Sequence, residues 1–349
     1  MNTGHAQRIV SYDFVRVVAM VFVVGVHTLY VLDDLTGAAG IASSFLGTVV
    51  RTCNPLFFMV SGFFNIRQRS TKGELLGWYA RKVRGLLLPV LIYFFLRTLY
   101  ISWPLVDGPV AFIKTFAHNV FSGFISSEYW FIYSLLALLA VAPFLARMID
   151  AMTDFECKAL LGLCLGYNFV QMIMNNADVA FSWTLVFKDY AIYFLLGAIL
   201  PRLVVTEKQI ARLKLLGLAG ILGTMVVAAL GFSARAFDTS PLYTLVAVGM
   251  YYMLLDLGNR LGSCAAISFV AKHSLGVYLV HVVFLRLIVS FLGAKFELTA
   301  GFVAFGAIVL LSVAASLVTA FVIDSLIVRP FQRIFDAILS TCKRLSDNH

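Results

Sequence analysis

The sequence predicts an all-α polytopic membrane protein of about ten transmembrane helices, with both termini cytoplasmic. Three observations carry this expectation. Of the 349 residues, 61% are hydrophobic and 13% charged, where soluble globular domains run near 45–50% and about 25%; mean hydropathy is +0.91. Apolar stretches near the ~20 residues needed to cross a hydrocarbon core recur from one end of the chain to the other. The lysines and arginines then fall on one side of the threading those stretches define.

The expected spans are 14–32, 41–64, 83–102, 128–147, 156–174, 183–204, 212–231, 239–257, 272–291 and 299–327. Helix is the only open-ended structure that satisfies every backbone amide inside lipid, so each stretch is read as helical. With the N-terminus inside, 19 of the 27 basic residues lie in inner segments or at the span ends that border them, three in outer segments and the other five within spans. That bias supports ten crossings. Residues 109–125 are amphipathic and read as a helix on the outer surface, an eleventh span being the alternative. A signal peptide is rejected: the first apolar run is long for one, contains His27, and is followed by more spans.

No polar stretch approaches the roughly 100 residues of a soluble catalytic domain. Residues 1–349 are therefore read as a single integral membrane domain whose function lies in the bundle and its loops. The net charge of +9 reflects membrane topology, and no nucleic-acid partner is expected. The five cysteines, Cys53, Cys157, Cys164, Cys264 and Cys342, include no CxxC pair, so no disulfide framework is expected. GxxxxGK[ST], HExxH and GxSxG are all missing, and with them the usual signatures of nucleotide hydrolysis, zinc proteolysis and elbow-serine hydrolysis. No metal is expected.

Charge at membrane depth is costly and usually faces a cavity or a partner. The first span contains RVVAMVFVVGVHT, in which Arg16 and His27 lie eleven positions apart. At 100° per residue they emerge within about 20° of each other, separated by about 16 Å along the axis. One face thus carries a cation at the inner mouth and a proton acceptor deeper in. The second span contains CNPLFFMVSGFFNI. Pro55 bends a helix, Ser61-Gly62 admits a close neighbour, and Arg51, one turn before Pro55, suggests a lined cavity. Arg97, Asp256 and Asp324 lie near span ends, where snorkelling accounts for them. Lys188-Asp189 reads as a local charge pair, and Arg286 is harder to account for. Arg81 and Arg84 share a helix face at the mouth of the third span, where forked guanidiniums suit phosphate and positive-inside topology suffices equally. In the ninth span, KHSLGVYLVHVVFLRL, Ser274 to Gly276 admits close packing. Its His281, on one face with Tyr278, reads first as a core histidine satisfied by a neighbour.

These pieces together resemble the acyltransferase 3 family of integral membrane acyltransferases. The matching motifs are Arg16-x10-His27, PLFFMVSGFF (55–64), Arg81-x-x-Arg84, EYWFIYSLLALLAVAPFL (128–145) and SLGVYLVH (274–281), in family order over nearly the whole chain. The short form, similar to the O-acetyltransferases of bacterial surface glycans, looks closest. No role is carried onto Glu128.

The resemblance implies transfer of an acyl group, usually acetyl, from cytoplasmic acyl-CoA to a glycan hydroxyl, in a bacterial cytoplasmic membrane. It also implies that Arg16, His27, Arg81 and Arg84 are essential. The expected partners are acetyl-CoA as donor, a glycan or lipid-linked sugar as acceptor, and membrane lipid. His27 would act as general base or as an acyl relay. Arg16, Arg81 and Arg84 would meet the donor's phosphates. Ser61, a freed backbone amide near Pro55, and Arg51 are the oxyanion candidates, with Tyr278 and His281 as further cavity-lining residues. The competing reading is a multi-span transporter or exporter of a polysaccharide precursor, for which buried charges also speak. The chain shows no repeated half and few buried carboxylates to relay protons.

Overall fold

A computed structural model describes residues 10–67, 71–123, 125–179, 189–231, 240–262, 264–296, 298 and 300–347, and every regular element among them is helical. In order these are α1 (Val10–Val26), α2 (Gly37–Val50), α3 (Cys53–Asn65), α4 (Lys72–Lys82), α5 (Leu88–Ser102), α6 (Gly108–Ser122), α7 (Trp130–Ala151), α8 (Asp154–Asn176), α9 (Ala191–Leu203), α10 (Glu207–Ala229), α11 (Pro241–Leu261), α12 (Ala265–Phe296), α13 (Gly301–Ile323) and α14 (Arg329–Asp347). Among the described residues, seven helices are long and apolar enough to cross a membrane. The chain is thus a multi-pass membrane protein.

Three of the ten expected spans take a different form. The first runs only to Val26 and continues as a short 3₁₀ turn over Leu29–Leu32. The sixth is the 13-residue α9; its expected start, with Lys188, lies outside the described residues. The second was expected as one kinked helix over 41–64 and is instead two, broken at Arg51-Thr52. Pro55 explains the position of the break. It has no N–H for the carbonyl of Arg51 four residues earlier, and its ring crowds that carbonyl. The Cys53 thiol takes that carbonyl at 3.8 Å, while the Thr52 hydroxyl donates to Val49 O at 2.7 Å.

Two other prolines act more gently. Before Pro89 the chain passes through a π-helical turn, Val83–Leu87, that joins α4 to α5. Before Pro330 the same occurs over Asp324–Val328, joining α13 to α14. An extra residue per turn moves the carbonyl away from the ring without ending the helix. At three other helix starts, Thr71 with Glu74, Thr153 with Glu156 and Thr206 with Gln209 form reciprocal capping boxes. These satisfy amide donors that the first turn of a helix cannot.

Helix α1 is the hub, packing against α12, α11, α3 and α13. In lipid, helices associate by close packing and interhelical bonds rather than by hydrophobic exclusion, and the glycines show where. A Cβ on Gly62 of α3 would strike the carbonyl oxygen of Phe194, and one on Gly197 of α9 that of Met59. The close approach expected at Ser61-Gly62 is therefore a backbone-to-backbone contact with α9. Helix α6, at 15 residues, reaches about 22 Å, short of the ~30 Å core. It lies on α5 through Phe112 and Phe116, both edge-on to Phe95.

Candidate active site

The ends of three elements meet around His27. It follows the last residue of α1, its amide still donating to Val23 O at 3.3 Å, so the partial negative charge of that helix end lies at the imidazole. The break at Arg51-Thr52 starts α3 beside it, so the amides of Cys53 and Asn54 lie in a first turn that has no internal acceptor for them. The short turn Ser127–Tyr129 brings Glu128. His27, Asn54, Cys53, Glu128, Tyr190 and Tyr278 line one cavity of about 380 Å³. His27 is open to it, whereas Glu128 is only 7% exposed. The Glu128 carboxylate lies within electrostatic reach of the His27 imidazole.

Behind His27 lies His281, fully buried, with ring centroids 5.2 Å apart. His281 Nδ1 lies 2.5 Å from the Tyr278 carbonyl. A carbonyl only accepts, so Nδ1 carries the proton. The expected neighbour is thus found for one nitrogen, while Nε2 has no partner among the described residues. Arg97 was expected to snorkel. It is 7% exposed, and its charge reaches Tyr129 and His281.

A second cavity, of about 300 Å³, lies on the other side of Tyr278 and is lined by Arg16, Ser61, Phe57, Phe131 and Lys272 among others. Arg16 contacts Asp13 at 3.4 Å and lies over the Phe64 ring at 5.1 Å. Arg16 and His27 therefore both face cavities and not lipid, and Tyr278 is the side chain common to the two. Its ring lies 5.4 Å from that of Phe131.

The remaining expected residues are dispersed. Arg51 opens into a separate cavity with Asp33, Ser44 and Thr48. Arg84 places Nε 2.7 Å from Asp336, and Arg81 is exposed on α4, outside these cavities. Arg286 is exposed on α12. Asp256 pairs with Lys214 at 2.7 Å and Asp324 with His273 at 2.6 Å, so contacts rather than snorkelling account for both.

A family model described as an acyltransferase domain, that of acyltransferase 3, matches residues 9–321. The chain belongs to the acyltransferase 3 family. Comparison with curated proteins and with solved structures returns no match. The match spans every helix from α1 through most of α13, so the cavities on either side of Tyr278 lie within the acyltransferase 3 domain. Neither the fold nor the family match favours the transporter reading.

Sequence reasoning left Glu128 and Asn54 without roles. Glu128 carried one usable signal, a carboxylate at the head of an apolar run. Asn54 carried none, because only the break before α3 turns it toward His27.

Proposed function

We propose that this protein transfers an acetyl group from cytoplasmic acetyl-CoA to a hydroxyl of a cell-surface or lipid-linked glycan. It would do so from the bacterial cytoplasmic membrane, crossing it ten times with both termini inside. One observation carries the reading: the two cavities that meet at Tyr278 have Arg16 in one and His27 in the other. The rise of α1 separates those residues by about 16 Å, which suits a thin acyl-pantetheine chain drawn from a charged mouth toward a base. The charge bias of the loops supports the orientation.

In this reading Arg81 and Arg84 attract the donor's phosphates and Arg16 guides the donor inward. His27 accepts the proton of the acceptor hydroxyl as its oxygen attacks the thioester carbonyl. The first-turn amides of Cys53 and Asn54 lie where a developing oxyanion can be met, with Ser61 on the donor side. Collapse of the tetrahedral intermediate breaks the C–S bond and expels CoA thiolate, which recovers the proton from the His27 imidazolium. Glu128 offsets the positive charge that His27 carries between these steps.

The test uses membrane vesicles, radiolabelled acetyl-CoA and the cell's own glycan fraction. His27→Ala should lower acetyl transfer by about 10²-fold or more at wild-type protein levels. Full transfer by that variant would overturn the role given to His27. Wild-type vesicles that consume no acetyl-CoA would overturn the donor.

A further inference from the structure

A third cavity, of about 190 Å³, adjoins the one that holds Arg16 and shares Gly85, Lys272 and Leu275 with it. It lies between the two π-helical turns. Arg84, in the first of these turns, is tied to α14, which continues the second, by Asp336 and by the Gln332 side-chain amide, which donates to the Arg84 carbonyl at 3.0 Å. One wall is a polar trio that the transfer chemistry does not use. His273 is 1% exposed, with Nδ1 2.6 Å from Asp324 Oδ2. The Tyr93 hydroxyl donates to Asp324 Oδ1 at 2.9 Å. Both carboxylate oxygens are therefore engaged from within the protein, while His273 Nε2 has no partner among the described residues. The cations on the lining are Lys272 and Arg329, with Gln332 beside them.

We propose that this cavity seats the diphosphate of the acyl-CoA donor, held by Lys272 and Arg329. The proposal rests on the acyl-CoA-dependent reading above. An ammonium and a guanidinium on the lining of one cavity match a diphosphate's two charges, and charge-assisted contacts are the strong ones. The trio keeps Asp324 from competing for the same cations. The cavity of about 190 Å³ has room for a diphosphate, and the nucleoside would lie beyond it, on the side where Arg81 is exposed. The length agrees, because α12 rises about 9 Å from Lys272 to Tyr278 and about 14 Å to His281. The pantetheine arm, bonded directly to the diphosphate, would thread the Arg16 cavity between those points. Placing two π-helical turns here follows a wider tendency of such turns to occur at functional sites.

The experiment measures binding of CoA, dephospho-CoA and pantetheine to the detergent-purified full chain. It compares wild type, Lys272→Gln and Arg329→Gln, with Arg286→Gln as a remote control. Dephospho-CoA keeps the diphosphate and lacks only the 3′-phosphate; pantetheine has neither. Lys272 is exposed and Arg329 half-buried, so neither variant removes a core side chain. Each should weaken CoA and dephospho-CoA alike, by about ten-fold or more, and leave pantetheine and the control unchanged. Wild-type affinity in both variants overturns the proposal, as expected if the cavity holds a lipid phosphate instead. A loss confined to CoA overturns it in favour of the 3′-phosphate, and an equal loss for pantetheine in favour of a structural defect. Wild-type protein that binds neither CoA nor dephospho-CoA overturns the donor reading itself, which the variants alone would not do.

Discussion

Tyr129 and Tyr278 clasp the same two backbones in opposite directions. The Tyr278 hydroxyl donates to the carbonyl of Glu128, and the Tyr129 hydroxyl donates to the carbonyl of Leu279 at 2.5 Å. Each tyrosine thus holds the residue next to the other. The pair fixes the turn that carries Glu128 against α12, and holds Tyr278 between the two cavities.

Removing either hydroxyl deletes a buried side-chain to backbone hydrogen bond, worth about 0.5–1.5 kcal/mol. Tyr129→Phe and Tyr278→Phe should each lower the thermal midpoint of the purified protein measurably. Tyr278→Phe should also lower turnover, because its hydroxyl holds the turn that carries Glu128 into the His27 cavity. Unchanged midpoints in both variants would show that the clasp does not hold the turn.

Glu128→Gln keeps the shape of the side chain and removes its charge. If Glu128 offsets the charge on His27, kcat should fall by about ten-fold or more while KM for acetyl-CoA stays within two-fold. Glu128→Asp should recover part of the loss. A change in KM alone would place Glu128 in donor binding, and no change in either constant would remove it from the mechanism.

Pro55→Ala restores a donor for the Arg51 carbonyl and lets α2 and α3 join. The new backbone bond should hold or raise stability by about 1 kcal/mol, while turnover falls because Cys53 and Asn54 lose their first-turn position. Thermal melts and transfer assays on the same preparation read both. A less stable variant with full turnover would mean that the break serves folding and not the site.

Much of the site was legible because some of its geometry is local. Arg16 and His27 share a face through helical pitch alone, and both open into cavities. Ser61-Gly62 announced a close neighbour because a missing side chain is visible in sequence. The break before α3 was half legible: Pro55 signalled disruption, but the joint fell four residues earlier, at the carbonyl the proline cannot serve. Arg97 was misread, and Glu128 left without a role, for another reason. Position near the end of an apolar run says how deep a charge sits, and not whether a neighbour encloses it.

The sequence by itself determined an all-helical, multi-pass protein, its family, and the stripe on α1. Hydropathy and helical pitch depend on residues within a few turns of one another, so they are written locally. The tertiary structure decided which cavity each charge enters and what faces it. His27 meets Glu128 only because a turn 100 residues away is clasped to α12, itself 150 residues further on. Lys272 joins Arg329 at one cavity only because the π-helical turn before α5 is tied to the distant α14 through Arg84, Gln332 and Asp336. Those pairings follow from long-range packing, which no local pattern encodes.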